Sequence, residues 1–450
     1  MKILTVVHNF PPVHHAGAEV YAFSLARRLA ENHEIVVFTT DHALFRRNYS
    51  RRSLSHGGLR IVEAINHRRY ASFEDSYADP RMEEIFRDVL ASERPDVVHF
   101  QHLLHHSIGY PAIARAAGIP SVLTLHEYWF LCGRNGQMLR ADDARCDRPE
   151  PQVCARCLAG FSFGRSAKDL LALRALALLR ATTGIDLAAR ARRVRLAARA
   201  RSLAAAGDFE KRVRERERRM RAMLATVDRI VAPSRFLAAK FVAFGAPRER
   251  LVVSDYGTEV EAFRRERPPR AAGPLRIGYL GSVQRSKGVH VLLEALARLE
   301  VGTFEAELYG DIAAKPDYAQ DIRRDLPASV RLAGRMPHER IPEVLARLDV
   351  LVVPSIWWEN SPLVIHEAAA AGVFVVVSAA GGMAELVGNG VLGRTFEIGN
   401  SESLADVLRE LSSRPEALMA RRGGDPALKS MREDALFHES LYREIVQSRK

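Results

Sequence analysis

The chain opens on a run of apolar, mostly β-branched residues, KILTVV at 2–7, before polar and proline-rich positions. The next stretch, EVYAFSLARRLAEN at 19–32, places Val20, Phe23, Leu25 and Leu29 on one side at helical spacing. A second apolar run, HEIVVFTT at 33–40, follows. Strand, helix, strand with strands apolar on both faces predicts a βαβ unit, hence a parallel sheet covered on both sides. The rhythm continues. A helical pattern, RMEEIFRDVLAS, precedes the strand-like DVVHFQ at 96–101, and PAIARAAG precedes SVLTL at 121–125. Residues 127–160 interrupt it, being rich in Gly, Pro, Asp and Cys. Residues 166–224 are rich in Ala, Leu and Arg, with turn signals only at Thr183-Gly184 and Gly207-Asp208, which predicts two or three long helices. Alternation resumes over 228–245.

A stretch with three prolines and a glycine, ERPPRAAGPL at 266–275, reads as a linker. Beyond it lie five further strand-like runs, RIGYLGS (276–282), FEAELYG (304–310), SVRLAG (329–334), DVLVVPS (349–355) and VFVVVS (373–378). Helical segments separate them, and a last helix is expected over 434–447. The predicted class is α/β, with two doubly wound Rossmann-like domains facing across a cleft. Residues 1–265 form the first, holding the Cys-rich loop 127–160 and a basic helical insertion, 161–224. Residues 266–425 form the second, and 426–450 a C-terminal helix packing back toward the first. Ligands of such sheets sit at the carboxyl ends of the strands, here expected in the cleft.

Composition narrows the function classes. With 450 residues, 47% hydrophobic and 27% charged, the chain is not disordered as a whole. No apolar run reaches the roughly 18–20 residues of a membrane span. The N-terminus reads as a buried strand rather than a signal peptide, so a cytoplasmic protein is expected. The formal charge of +12 is concentrated: residues 161–221 hold 17 Lys or Arg against 6 Asp or Glu. Within it, LAARARRVRLAARARSLAAA has an Ala/Leu side and an Arg side. Two readings stand for residues 187–221: docking on an anionic membrane, which would place the protein peripherally on the inner face, or a solvated helical face. A nucleic-acid partner is not expected, because no aromatic residues interleave the arginines and the cysteine spacing matches no finger with a recognition helix.

The strongest chemical signal is Pro354-Ser-Ile-Trp-Trp-Glu359-Asn-Ser361-Pro362-Leu363-Val364-Ile-His-Glu367. It reads as a buried strand ending at Pro354, a loop carrying Glu359, and a helix capped by Ser361 with Pro362 at its first position. The amides from Ser361 to Val364 would then form an anion site. Glu367 lies on the helix about 7–8 Å further along its axis, at 1.5 Å per residue. Two carboxylates with phosphate-friendly amides between them suit a ligand with sugar hydroxyls at one end, diphosphate in the middle and ribose at the other.

Here the sequence resembles a retaining nucleotide-sugar glycosyltransferase of the GT-B fold, glycosyltransferase family 4 (glycosyl transferases group 1). Ala16-Gly17-Ala18-Glu19 resembles the family's Gly-Gly-x-Glu loop, with Ala16 in place of a glycine. Thr124-Leu125-His126-Glu127 resembles its Thr-x-His-Asp strand end, and Ala232-Pro-Ser-Arg235 its Pro-Ser segment. Gly281 to Lys287-Gly288 resembles its phosphate loop, and Gly381-Gly382-Met-Ala-Glu385 a later loop. Glu359 and Glu367 match its paired glutamates with seven residues between.

The resemblance implies roles. Glu367 accepts hydrogen bonds from the donor's ribose, Glu359 contacts the donor sugar, and Lys287 pairs with the diphosphate. The segment from Ser361 through Pro362 and Leu363 to Val364 holds phosphate or sugar oxygens with its amides. Gly17 admits the ligand to the backbone, and His126 contacts the sugar near the reacting centre. Gly281 and Ser282 belong to the phosphate loop. The family often has arginine where Ser282 stands, and Arg285 is the candidate substitute. The donor would be a UDP- or GDP-sugar, the acceptor a saccharide or a lipid-linked sugar, and no catalytic metal is expected. Ala16 and Ser282 leave a second reading open, an inactive GT-B relative that binds a sugar nucleotide or a partner. A GT-B-like epimerase or phosphorylase is a further alternative, though no pyridoxal-type lysine context is found.

Two clusters remain. Cys132, Cys146, Cys154 and Cys157 fall within 26 residues and end in Cys-x-x-Cys, which suits a structural tetrahedral zinc, with four unliganded thiols as the alternative. Twelve of the 16 histidines lie in residues 1–126. Of these, His14, His15, His99, His102, His105 and His106 sit near predicted strand ends or the loops after them. Some are expected on the acceptor side and most as core or surface groups.

Overall fold

In the computed structural model the structure describes residues 1–140, 143–159, 161–183, 209–264, 273–312, 316–324, 326–388, 392–414, 418 and 428–449. The linker at 265–272 and the whole of the amphipathic stretch at 187–206 lie outside the described residues. The chain forms two compact units, Met1–Pro233 with Leu237–Ser254 and Asp434–Lys450, and Ser234–Phe236 with Asp255–Glu433.

The first unit is built on an eight-stranded sheet: β1 (Lys2–Val7), β2 (Glu34–Asp41), β3 (Arg51–His56), β4 (Leu59–Ile65), β5 (Val97–Phe100), β6 (Ser121–Thr124), β7 (Arg229–Ala232) and β8 (Leu251–Val253). Their order is β3-β4-β2-β1-β5-β6-β7-β8. All neighbours are parallel except β3 and β4. Ile3 pairs with Ile35 on one side and Val97 on the other, so the order reverses direction between β1 and β5. Ile3, Leu4, Val6 and Val7 are fully buried, as expected when helices cover both faces. The β3–β4 hairpin departs from the sequence reading, which placed no strands at 51–65. Its outer strand, RRSLSH, is polar and mostly exposed and gives no apolar period. The turn that makes it, Gly57-Gly58 with φ of 58° and 80°, was nonetheless legible as a hairpin signal.

The Cys-rich segment also departs from a plain loop, since Pro151–Ala159 is helical and places Cys154 and Cys157 one turn apart. Two helices, Ala167–Thr183 and Phe209–Leu224, are seen within the basic insertion. On the second, the cations are largely matched: Arg212 pairs with Glu74, Arg214 with Glu210, Arg218 and Arg219 with Glu215, and Arg221 with Glu217. The final helix, Met431–Gln447, starts three residues earlier than the pattern suggests. Its residues from Asp434 onward belong to the first unit. Their anchoring is polar and buried: the Tyr21 hydroxyl donates to Asp434 at 2.7 Å, and the Tyr442 hydroxyl lies 2.6 Å from the His99 ring.

The second unit carries six parallel strands, β9 (Leu275–Leu280), β10 (Phe304–Tyr309), β11 (Val330–Gly334), β12 (Val350–Val353), β13 (Phe374–Ser378) and β14 (Gly393–Phe396). Their order, β11-β10-β9-β12-β13-β14, is that of a doubly wound nucleotide-binding sheet, and it reverses between β9 and β12. Alternate residues feed opposite faces. Val350 and Val352 pack in one core layer with Leu292 and Leu404, while Leu351 and Val353 pack in the other with Ile365 and Ala368. β8 and β14 were not anticipated; with three and four residues they are too short to show a period.

Candidate active site

The second unit's sequence-predicted residues sit where a doubly wound sheet places its ligands, on the loops leaving β9 and β12 at the reversal point. β9 ends at Leu280 and leads through Gly281 into a single 3-10 turn, Arg285–Lys287. Gly288 follows at φ 68°, and a Cβ there would fall 1.8 Å from the Pro354 carbonyl oxygen. Only glycine permits this approach, and it brings the two loops backbone to backbone. The Lys287 ammonium thereby reaches Glu359 Oε1 at 2.7 Å and sits 5.0 Å from the centre of the Trp357 ring. The Ser355 hydroxyl donates to the same carboxylate oxygen at 2.7 Å. From the other side, Gly381 (φ 60°) lets its chain come against the Glu359 carbonyl, where a Cβ would be 2.0 Å from the oxygen. The Gly382 amide donates to that carbonyl at 2.9 Å.

These contacts decide the charge of Glu359. Its side chain is 9% exposed, and burial alone would raise its pKa. The Lys287 charge and the hydrogen bonds from Lys287 and Ser355 outweigh burial, leaving it below the ordinary carboxylate value. Glu359 is therefore an anion at neutral pH, an acceptor only.

Glu367 is buried on the helix Leu363–Ala370, and its Oε1 lies 3.0 Å from His338 Nε2. That hydrogen bond raises the His338 pKa against the opposing effect of burial. The helix starts differently from the sequence expectation. Pro362, not Ser361, stands at the cap position, and no side chain caps the helix. The Ser361 hydroxyl instead donates to Asp255 at 2.6 Å and lies 2.7 Å from His366 Nε2. Pro362 has no N–H to offer, so the first-turn amides facing outward are those of Leu363 and Val364. Arg285 is exposed, close enough for its charge to act on the Tyr318 phenol, and it is Lys287 that meets Glu359. Gly281 and Ser282 are exposed at the mouth of the loop. Sequence reasoning missed His338, Asp255, Ser355 and His366. Ser355 and His366 lay inside the segment already singled out, whereas His338 and Asp255 had no local signal, being 29 and 106 residues from their partners.

In the first unit, Gly17 opens the helix Gly17–Leu29, and a Cβ there would meet nothing within 4 Å. Any need for glycine at that position comes from outside the described chain. His126 follows β6, with Nε2 2.7 Å from Gln101 Oε1 and its ring edge-on to Tyr21 at 5.4 Å. Burial keeps it neutral, as it does His8, His99, His105 and His106. His99, His102 and His106 serve as satisfied core groups, bonding Thr124, Glu127 and the Val7 carbonyl.

The four cysteines form no disulfide. Burial pushes the Cys132 thiol up to about 11 and raises that of Cys154, which also feels Cys146 and Cys157. Among the described residues, one set of three His, Cys, Asp or Glu donors lies within 4.8 Å of one another, His14, Asp41 and His42. The thiols form no such set, whereas a tetrahedral zinc with bonds of about 2.3 Å holds its sulfurs about 3.8 Å apart. Around the His14 set, Arg52 lies 3.6 Å from Asp41 and the charges of Arg68 and Arg165 act on His42, which disfavours a cation. A cavity of about 820 Å³ lies along the helices Pro80–Glu93 and Tyr110–Ala116, and no predicted site residue lines it.

Two doubly wound sheets with a lysine–glutamate pair at the reversal point of the second define a protein of the GT-B glycosyltransferase fold. Solved structures agree on the fold. Anabaena HepE in complex with UDP and glucose matches at TM-score 0.64 and 17% identity, covering all of both chains. Sucrose-phosphate synthase from Thermosynechococcus elongatus matches at 0.67 and 17%, covering 99% of each. Two family models match in sequence, Glycosyltransferase Family 4 over residues 15–172 and Glycosyl transferases group 1 over 261–423. The chain belongs to this glycosyltransferase family. It is 32% identical over 188 residues to the amylovoran biosynthesis glycosyltransferase AmsK of Erwinia amylovora, covering 40% of this chain and 46% of that protein. It is 31% identical over 223 residues to D-inositol 3-phosphate glycosyltransferase 1 of Catenulispora acidiphila, covering 45% and 53%. The chain thus spans about half the length of the curated relatives it matches.

Two predictions follow from the ionised pairs. Lys287→Met strands a buried carboxylate and lowers stability at neutral pH by about 1–3 kcal/mol. Without the cation, burial raises the Glu359 pKa, so the melting-temperature gap to wild type should narrow as pH falls toward about 5; a gap that stays constant would refute the pair's role. The His338 pKa is raised, so its bond to Glu367 contributes fully below the unfolded value and is lost as pH rises through the folded one. The melting-temperature difference between wild type and His338→Ala should be larger at about pH 6 than at about pH 8, and the reverse order would contradict the pairing.

Proposed function

We propose that the protein is a retaining glycosyltransferase that moves a hexosyl group from a UDP- or GDP-sugar to a saccharide or lipid-linked acceptor in cell-surface polysaccharide or glycoconjugate synthesis. The observation that carries this reading is the Lys287–Glu359 contact at the β9/β12 reversal, with Glu367 on the following helix. It is supported by AmsK's name, which places that relative in amylovoran biosynthesis, and by the fold neighbour HepE, which holds UDP and glucose.

The chemistry can be derived residue by residue. Glu359 is already anionic and accepts hydroxyl hydrogens of the donor sugar without a protonation step. Lys287 supplies a positive charge beside the leaving diphosphate, where negative charge grows in the transition state. The amides of Leu363 and Val364 add dipoles at the helix start. Glu367 takes the ribose hydroxyls in exchange for its bond to His338. On the other unit, Gly17 leaves open space for a ligand at the backbone, and neutral His126 offers a hydrogen bond rather than a charge to the sugar. The acceptor attacks on the face from which the diphosphate leaves, and a leaving phosphate oxygen takes the acceptor's proton. The anomeric configuration is kept with no side-chain base. This route requires no catalytic metal. Docking on an anionic membrane through 187–221 and a place on the inner membrane face remain part of the proposal. Among the described residues, no helix is long and apolar enough to cross a membrane.

Thermal shift against UDP, GDP, ADP and their sugar conjugates tests the donor. A ligand at about 100 times its dissociation constant adds about 2.7 kcal/mol. One nucleotide series should stabilise wild type and lose that effect in Glu367→Ala. If none does, the donor site is not functional and the inactive-relative reading replaces this one. On donor chemistry alone, the loop bearing Cys132, Cys146, Cys154 and Cys157 is proposed to draw together around a structural zinc. Purified protein should carry about one zinc per chain and melt lower after chelation; metal-free protein with four titratable thiols would end that proposal.

A further inference from the structure

A second, smaller cavity lies wholly within the first unit. It has a volume of about 70 Å³, several times the roughly 10–15 Å³ that one water needs on the same measure. It is walled by residues following the carboxyl ends of β4, β5 and β6, the ligand side of such a sheet, and closed by Ser162, Phe163 and the helix Phe209–Leu224. Its lining includes two arginines, Arg68 and Arg216, and no Asp or Glu. Among the described residues neither arginine makes an ion pair with a carboxylate. Arg216 is 5% exposed, lies over the rings of Tyr77 and Trp129, and among the described residues gives hydrogen bonds only to the carbonyls of Trp129 and Phe130. The Tyr77 hydroxyl, in the same lining, is buried without a hydrogen-bond partner. His105, also in the lining, is neutral and can donate or accept.

Asp41 acts on Arg68 and Glu127 on Arg216 only from beyond ion-pair distance, and two guanidinium groups drawn from water without a paired anion are costly unless something anionic completes them. The state of both arginines bears this out, since burial lowers each pKa, that of Arg68 to about 10 with further repulsion from Arg165. A cation is excluded by the same charges. Water would satisfy the Tyr77 hydroxyl but bring no negative charge to the guanidinium groups. A tetrahedral oxyanion satisfies both at once, accepting from planar N–H forks and from a phenol.

We propose that this pocket binds a phosphate group, and that the phosphate is carried by the acceptor. The second half rests on the glycosyltransferase reading above. It narrows the acceptor from any saccharide to a glycosyl phosphate or diphosphate, the chemistry a lipid-linked sugar presents. The acceptor's phosphate then orients its sugar from a site separate from the donor's diphosphate contacts.

The test is melting temperature of the full chain in phosphate-free buffer at constant ionic strength. Inorganic phosphate, glucose 1-phosphate, glucose and UDP are each titrated against wild type, Arg68→Gln and Tyr77→Phe. Tyr77→Phe removes one oxygen and keeps the ring, so the comparison survives if Arg68→Gln fails to fold. Inorganic phosphate should stabilise wild type saturably, with apparent affinity about tenfold weaker in each variant, as expected for loss of one charge-assisted or buried donor. Glucose 1-phosphate should follow the same pattern and glucose should not. The UDP response should be equal in all three proteins. Equal phosphate responses in wild type and both variants, or a wild-type response no greater than that of chloride, would overturn the pocket. A variant-sensitive response to inorganic phosphate alone would overturn the acceptor assignment. A missing UDP response bears on the donor reading only, since the phosphate comparison is decided between variants.

Discussion

The second unit turns on one contact, a lysine ammonium against a buried carboxylate at the point where strand order reverses. Burial by itself would protonate Glu359 and blunt it as an acceptor. Lys287 and Ser355 together hold it ionised. The contact in turn depends on backbone geometry, because Lys287 reaches Glu359 only if the loops after β9 and β12 touch. That requires Gly288 against Pro354 and Gly381 against Glu359, where any Cβ would collide with a carbonyl oxygen. The charge state of one side chain is thus set by the absence of two others.

The first unit differs in that its interior holds a group of buried histidines. His99, His102 and His106 are buried, and His8, His99, His105, His106 and His126 are held neutral by burial. Neutral imidazoles can bridge donors and acceptors without the cost of a buried charge. One of them, His99, ties β5 and β6 to the C-terminal helix through Thr124 and Tyr442. The arginines behave otherwise. On the helix Phe209–Leu224 most meet a glutamate at the surface, whereas Arg216, inside, meets only carbonyls and aromatic faces. That difference separates a cation paired with a glutamate from one on which a carboxylate, Glu127, acts only from beyond ion-pair distance.

Local pattern carried most of the architecture. Long apolar strands such as KILTVV and VFVVVS cannot be anything but two-side-buried parallel strands once helical periods lie between them. The glutamate-paired segment at 354–367 was legible because its residues are close in sequence and follow a strand end. Short or polar strands, β3, β8 and β14, were not legible. Their pairing is imposed by a neighbour rather than by their own side chains, and three or four residues show no period.

The sequence by itself therefore determined the class of fold, the strands at its centre and the family's paired glutamates, since each rests on residues within one or two turns of each other. Tertiary structure alone decided which atoms those residues meet. It turned Ser361 from a helix cap into a partner of Asp255 and His366, and it joined Glu367 to His338. It also gathered Arg68 and Arg216, 148 positions apart, around one small cavity. The reason is physical. Hydrophobic periodicity is a local property written along the chain, but hydrogen bonds and ion pairs are settled by atoms brought within about 3 Å by packing, whatever their separation in sequence.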